Sequence, residues 1–258
     1  MSVDALLDRD TTGIAAAFRA GEARAAEIAE AAIARIAARN PVLNAFTDVT
    51  ADRARARAAA LDAARAKGAA LPPLAAAPFA VKNLFDIAGL PTRAGSRINR
   101  DLPPAEADAT LVTRLEEAGA LLLGGLNMGE YAYDFTGENA HDGPSRNPRD
   151  VARMTGGSSG GSGGAVAGGL AAIALGSDTN GSIRVPSSFC GTFGLKPTYG
   201  RLTRGGSFPF VTALDHVGPL ARSVRDLAAS YDAMQGGDAR DPGCSRRAPE
   251  PIGTGFEA

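Results

Sequence analysis

Residues 155–169 read TGGSSGGSGGAVAGG, and residues 177–190, directly after the apolar run 171–175, read SDTNGSIRVPSSFC. Glycine at this density weakens helix and strand alike, but it lets backbone fold closely on itself and on a ligand. A loop of this kind that opens a helix can present several N–H groups to an anion. A flexible Gly/Ser linker is the alternative, although linkers do not usually lead straight into a helix and a buried strand. In the second stretch a strand feeds a turn at Asn180 and Gly181, then Ser182, with Pro186 early in a short helix. Successive N–H groups in such a turn can converge on one point, as a tetrahedral oxyanion requires, and Ser182 stands beside them. A Thr-Asn-Gly turn whose serine only satisfies backbone groups is the other reading.

Working outward, periodicity predicts helices over 25–38, with Ile28, Ile33 and Ile36 inward, and over 51–66 after Thr50. A Pro-containing linker at 71–78 ends them, and 79–81 runs as a short apolar strand that delivers Lys82 to its end. A helix near 108–118 and a buried strand at 120–123 complete a strand-helix-strand rhythm, which suggests a mixed or parallel sheet of the α/β class. A small-residue helix at 163–170, a strand at 171–175 and a late amphipathic helix at 223–234 follow. The expected organisation is an N-terminal helical region over 1–70, a core over 71–235 and a Gly/Pro-rich surface tail over 236–258 that stops as a linker would.

Composition narrows the function. The 258 residues carry 27 Lys plus Arg against 28 Asp plus Glu, a net charge of -1 that offers no basic field to nucleic acid or an anionic membrane. A hydrophobic content of 45% is enough for a real core. No run is long and apolar enough for a membrane span, and Asp4, Asp8 and Asp10 stand where a signal peptide wants positive charge, so a cytoplasmic location is expected. Cys190 and Cys244 make no disulfide framework, and no Cys/His pair has metal-ligand spacing.

A nucleophilic serine needs a base. The histidines are His141 and His216 alone, and lysine occurs only at Lys67, Lys82 and Lys196. Lys82, between the apolar residues 78–81 and Asn83-Leu84-Phe85, is the candidate: burial would lower its pKa and make it a base, although a lysine at a strand end more often reaches out to solvent. Two G-x-S-x-G patterns, centred on Ser159 and Ser162, suggest an α/β-hydrolase elbow, but no apolar strand runs immediately into them. A Walker loop is excluded because no Gly-Lys-Ser/Thr step occurs.

Taken together, the phrases PFAVKNLFD, TGGSSGGSGGAVAGG and GSDTNGSIRVPSSFCGTFGLKPT, with NMGEYAYDFTGENAHDGPSRNPRD between the first two, resemble the amidase signature enzymes. The resemblance implies that family's fold, a mixed β-sheet covered by helices, incomplete here at the C-terminus because typical members are nearly twice as long. It implies a Ser-cisSer-Lys triad of Ser182 as nucleophile, Ser158 as the bridging serine in a cis peptide and Lys82 as base. Backbone N–H groups of Thr179, Asn180, Gly181 and Ser182 would form the oxyanion hole, with Ser159, Asp178 and Arg184 supporting. The implied reaction is hydrolysis of a small-molecule amide, without metal or organic cofactor.

The phrases YDFTGENAHDGPSRNP, RINRD and GSFPFVTALDHVGP look most like the carboxybiuret hydrolase-type branch, which acts on urea-like carboxylated amides. That branch implies a small helical companion subunit, and a homodimer is also admitted. Tyr131, Tyr133, Asp134 and His141 are candidates for a polar substrate end, whereas His216 reads as a satisfied core histidine. Two further expectations stand beside this one: a glutamine amidase subunit of a tRNA-dependent amidotransferase, and an inactive truncated fragment serving as a binding subunit.

Overall fold

A computed structural model describes residues 2–253. The end of the expected tail, 254–258, lies outside the described residues. The chain begins with helices α1 (Val3–Leu6), α2 (Thr11–Ala20) and α3 (Ala25–Leu43), strand β1 (Phe46–Val49) and helix α4 (Ala51–Ala66). Strand β2 (Pro78–Lys82), helix α5 (Thr110–Glu117) and strand β3 (Leu121–Leu126) follow, then a hairpin of β4 (Arg146–Asn147) and β5 (Asp150–Met154). The last part holds α6 (Gly160–Ala167), β6 (Ile173–Asp178), α7 (Arg184–Cys190), β7 (Phe193–Gly194), β8 (His216–Ala221) and α8 (Val224–Met234).

Six of the strands make one sheet in the order β1-β3-β2-β6-β8-β7. β3, β2 and β6 are mutually parallel, while β1, β8 and β7 pair antiparallel, so the sheet is mixed as expected. Side chains of successive strand residues point to opposite faces, and the central strands use both. Ala80, Leu121, Leu123 and Ala174 join one apolar cluster with Ile28, Phe46 and Val166. Phe79, Val81, Leu122 and Leu175 join the other with Leu111, Leu115 and Met234. A strand buried on both faces reads as continuous apolar sequence, which is why 121–123 and 173–175 are legible as strands without alternation.

Several boundaries differ from expectation. The helix expected at 25–38 runs on to Leu43 through Pro41, ending at Asn44 in the left-handed region with φ 47°. Thr50 does precede α4, but its hydroxyl donates to the Leu122 carbonyl at 3.0 Å instead of capping the helix. The glycine-rich helix begins at Gly160 and not 163. Glycine costs about 1 kcal/mol in a helix interior, and here close approach of neighbouring backbone outweighs that cost. A Cβ on Gly161 would lie 2.5 Å from the carbonyl oxygens of both Ala45 and Asn127, and the Gly161 N–H donates to the latter at 2.9 Å.

β6 reaches past the expected 171–175 to Asp178, carrying Ser177 and Asp178 into the sheet beside Val217 and His216. His216 is therefore not a core residue: it is half-buried at the end of the antiparallel β6–β8 pair, with Nδ1 2.6 Å from the Leu214 carbonyl and its ring edge-on to Tyr199. At the far end, Asp226 at the start of α8 accepts the N–H groups of Thr11 and Thr12 at 2.9 and 3.1 Å, tying α2 to α8.

Because no relaxation can clear two backbone oxygens at once, Gly161→Ala is expected to destabilise the protein by about 1–3 kcal/mol. The check is urea or thermal unfolding, and Gly237→Ala, whose added Cβ meets only the Ser245 carbonyl at 3.9 Å, is the control.

Candidate active site

The parallel pairing of β2 with β6 sets Val81 against Leu175, so the chain ends of both strands emerge side by side. Lys82, the last residue of β2, is fully buried. Its Nζ lies 2.6 Å from Ser158 Oγ and 2.9 Å from Ser177 Oγ, both hydroxyls themselves buried or nearly so. Burial pushes the Lys82 pKa down to about 7, against the opposing pull of the Asp178, Asp134 and Asp215 carboxylates. Lys82 thus does not reach out to solvent.

Ser158 sits just before α6, after a Gly157–Ser158 peptide bond that is cis. Glycine is required at 157 because any Cβ there would collide with the Asp134 carboxylate and the Gly137 nitrogen. The next residue, Ser159, braces the loop: its hydroxyl donates to the Ser177 carbonyl at 3.2 Å and accepts the Ser177 N–H at 3.3 Å, while its own N–H donates to the Ser182 carbonyl at 3.3 Å. Ser162 donates to the Leu175 carbonyl at 2.9 Å, deep in the fold and away from any opening. Cys190 anchors the loop's start, its thiol donating to the Thr155 carbonyl at 3.4 Å.

The turn after β6 is organised around Asp178. One carboxylate oxygen accepts the Gly181 N–H at 2.6 Å and the other accepts the Ile183 and Arg184 N–H groups at 3.1 and 3.3 Å. The Arg184 guanidinium closes on both oxygens at 2.9 Å. Burial pushes this carboxyl upward, but the guanidinium and the three N–H donors together hold it below the usual carboxylate range. Arg184 is therefore engaged with Asp178. The Gly181 N–H is likewise committed inward, whereas the N–H groups of Thr179, Asn180 and Ser182 make no hydrogen bond among the described residues.

Ser182 opens onto a cavity of about 340 Å³ that is also lined by Tyr133, Asp134, Phe135, Asn180 and Phe210. Tyr133 and Phe210 face each other with ring centroids 5.8 Å apart. Of the residues considered for a substrate end, Tyr133 and Asp134 line this cavity. Tyr131 instead packs on Phe208 and His141 contacts Glu130 at 3.0 Å. Asp134 is occupied by the Thr136 and Gly137 N–H groups at 2.7 Å. The structure joins Lys82 to Ser158 directly, and links the Ser158–Ser159 loop to Ser182 through backbone; no hydrogen bond joins the Ser158 and Ser182 hydroxyls.

Sequence reasoning missed Ser177 as a partner of Lys82 and missed Phe135 and Phe210 as cavity walls. The signal for Ser177 was present, since it is the first hydroxyl after the apolar run that pairs with β2. Among the described residues no group of three His, Cys, Asp or Glu side chains could hold a metal ion, and no helix is long and apolar enough to cross a membrane.

The Amidase family model matches residues 27–254, so the chain belongs to that family. It is 61% identical over 235 residues to the 1-carboxybiuret hydrolase subunit AtzE of Pseudomonas sp. (strain ADP), covering 91% of this chain and 51% of that protein. It is 48% identical to the glutamyl-tRNA(Gln) amidotransferase A-type subunit of Prochlorococcus marinus (strain MIT 9313), over 88% of this chain and 46% of that one. Among solved structures it resembles that of a vestigial protein complex bearing on the origins of an s-triazine catabolic enzyme, with a TM-score of 0.94 and 59% identity over 95% of this chain and 54% of that one. The native peptide amidase of Stenotrophomonas maltophilia follows at 0.89 and 36%, over 95% and 52%. The chain spans about half the length of the curated relatives it matches.

Removing the Asp178 charge leaves its N–H and guanidinium donors with a poorer acceptor, and hydrogen bonds to a charged group contribute about 1.5–3 kcal/mol. Asp178→Asn should therefore lose at least about 2 kcal/mol at pH 7. Because the folded-state pKa is depressed, that contribution is present above the unfolded value and fades as pH falls through the folded one. The gap between wild type and variant is thus expected to narrow below about pH 4, as followed by chemical unfolding across pH.

Proposed function

We propose that the chain carries the nucleophilic centre of an amidohydrolase that cleaves a C–N bond of a small-molecule amide through an acyl-enzyme. One observation carries this reading: an amine with its pKa drawn to about 7, sealed from water and hydrogen-bonded to the Ser158 hydroxyl, one loop away from a serine that faces a cavity. A neutral amine at pH 7 is a competent base, and a serine beside unpaired N–H donors is a competent nucleophile.

In this mechanism Ser182 Oγ adds to the amide carbon while its proton passes to Ser158 Oγ and the Ser158 proton passes to Lys82 Nζ. The carbonyl electron pair moves to oxygen, facing the N–H groups of Thr179, Asn180 and Ser182. Gly181 serves this set through the turn it shapes, its own N–H being held by Asp178. The C–N bond then breaks as Lys82 returns the proton through Ser158 to the departing nitrogen, which leaves as ammonia or an amine. Water attacks the acyl ester by the same relay and frees Ser182. Ser159, Asp178 and Arg184 hold the two loops in register. No step calls on a metal or organic cofactor.

The substrate we favour is a urea-like carboxylated amide such as carboxybiuret, which the 61% identity to a carboxybiuret hydrolase subunit supports. That relative's designation as a subunit, and the vestigial complex described for a structural neighbour, support a companion subunit, and the family resemblance makes it small and helical. A homodimer is compatible with either arrangement, and a cytoplasmic location agrees with the free thiols of Cys190 and Cys244. The second reading, a glutamine amidase subunit of a tRNA-dependent amidotransferase, is favoured by the 48% identity to the Prochlorococcus marinus protein.

Ammonia release from carboxybiuret, biuret, allophanate, glutamine and aliphatic amides decides between them. The greatest kcat/KM is expected with carboxybiuret; a preference for glutamine selects the second reading. Ser182→Ala and Lys82→Ala should each lower hydrolysis by about 10⁴-fold or more without altering the circular dichroism spectrum. Since Lys82 must be unprotonated to act, kcat/KM should fall about tenfold per pH unit below about 7 and level off above it. A profile flat from pH 5 to 9 would rule Lys82 out as the base.

A further inference from the structure

Asp215 immediately precedes β8 and is 8% exposed. One of its carboxylate oxygens accepts the Thr179 hydroxyl at 2.5 Å and the Val211 N–H at 3.0 Å. The other accepts the Phe210 and Val211 N–H groups at 2.8 and 3.0 Å. A single carboxylate therefore grips two separate pieces of chain: the loop that brings Phe210 into the cavity wall, and the first residue of the turn that carries Ser182. Hydrogen bonds to an ionised acceptor are short and strong, so the grip is stiff.

The turn needs such a grip at this end. Asp178 holds its far side through Gly181, Ile183 and Arg184, but sheet pairing ends at Asp178 against His216. Thr179 and Asn180 follow, with N–H groups bonded to nothing among the described residues. Among those same residues, the Thr179 hydroxyl makes the one side-chain hydrogen bond that fastens this pair to the surrounding fold.

We propose that Asp215 is a positioning residue for amide hydrolysis: through the Thr179 hydroxyl it aims the Thr179 and Asn180 N–H groups at the oxyanion, and through the Phe210 and Val211 N–H groups it locks the cavity wall to the same turn. The proposal rests on Ser182 being the nucleophile. It assigns Thr179 a side-chain role distinct from that of its backbone, and it makes the aromatic wall and the oxyanion donors move together.

The test is the rate at which a fluorophosphonate labels Ser182 in the full chain, where Ser182 Oγ bonds to phosphorus as its proton passes through Ser158 to Lys82, the P–F bond breaks with loss of fluoride, and the phosphoryl oxygen takes the oxyanion position. Thr179→Val keeps the volume and removes the hydroxyl. It should lower kinact by about 10- to 100-fold and shift KI by less than about threefold, with a circular dichroism spectrum that matches wild type. Thr179→Ser should restore kinact to near wild type, which a merely structural defect would not do. Asp215→Asn should lower kinact and also raise KI, because the Phe210 loop is loosened too. Adding Thr179→Val to it should cost little more, since both act through one contact. Wild-type kinact in Thr179→Val, failure of Thr179→Ser to restore it, or fully additive losses would overturn the clasp while Ser182 still labels. A folded wild-type chain that leaves Ser182 unlabelled would overturn the nucleophile assignment, and the clasp with it.

Discussion

An amine buried without a counter-ion in contact is the constraint around which this protein is arranged. The Lys82 Nζ meets two hydroxyls and no carboxylate, so desolvation prevails over the more distant pull of Asp178, Asp134 and Asp215 and the neutral form becomes accessible near pH 7. A direct ion pair would have favoured the charged form and removed the basicity. Serines 158 and 177 give the nitrogen hydrogen-bond partners at no charge, which meets the requirement that a buried polar group be paired.

The geometry follows from that requirement. To bring a hydroxyl onto Nζ from outside the sheet, the segment before α6 must come down onto the ends of β2 and β6, and bulky side chains would hold it off. Hence the glycines at 157 and 161, where neighbouring atoms occupy the space of a Cβ. Asp178 does for the second loop what close packing does for the first. It gathers the Gly181, Ile183 and Arg184 N–H groups on one carboxylate and leaves the Thr179, Asn180 and Ser182 N–H groups without a hydrogen bond among the described residues.

How much of this the sequence disclosed depended on the range of the interaction. α4 was legible to the residue because composition and periodicity are local; Lys82 stands out because it ends an apolar run, and Ser182 because it follows the Asn180–Gly181 turn. β1 and β8 were not seen. Phe46–Val49 and the Gly- and Pro-containing His216–Ala221 become strands only by pairing with β3 and β6, and nothing in their own composition marks them strongly. α6 starts three residues before its composition predicts, because tertiary contact overrules glycine's low helix propensity. The triad roles and the cis Gly157–Ser158 bond came from family resemblance; position alone suggested only a hydroxyl, a lysine and a turn. The commitment of the Gly181 N–H, and the bond from Thr179 to Asp215 across 36 residues, depend on side-chain directions that no spacing encodes.

The thiol of Cys190, which donates to the carbonyl of Thr155 at the root of the serine loop, has a chemical consequence of its own. Burial pushes it up to about 12, so at neutral pH it is almost wholly protonated, and the protonated form is a poor nucleophile. Alkylating agents and mild oxidants that select thiolates therefore find no foothold beside the serine machinery, and the sulfur fills space there as a small, inert methyl-like group.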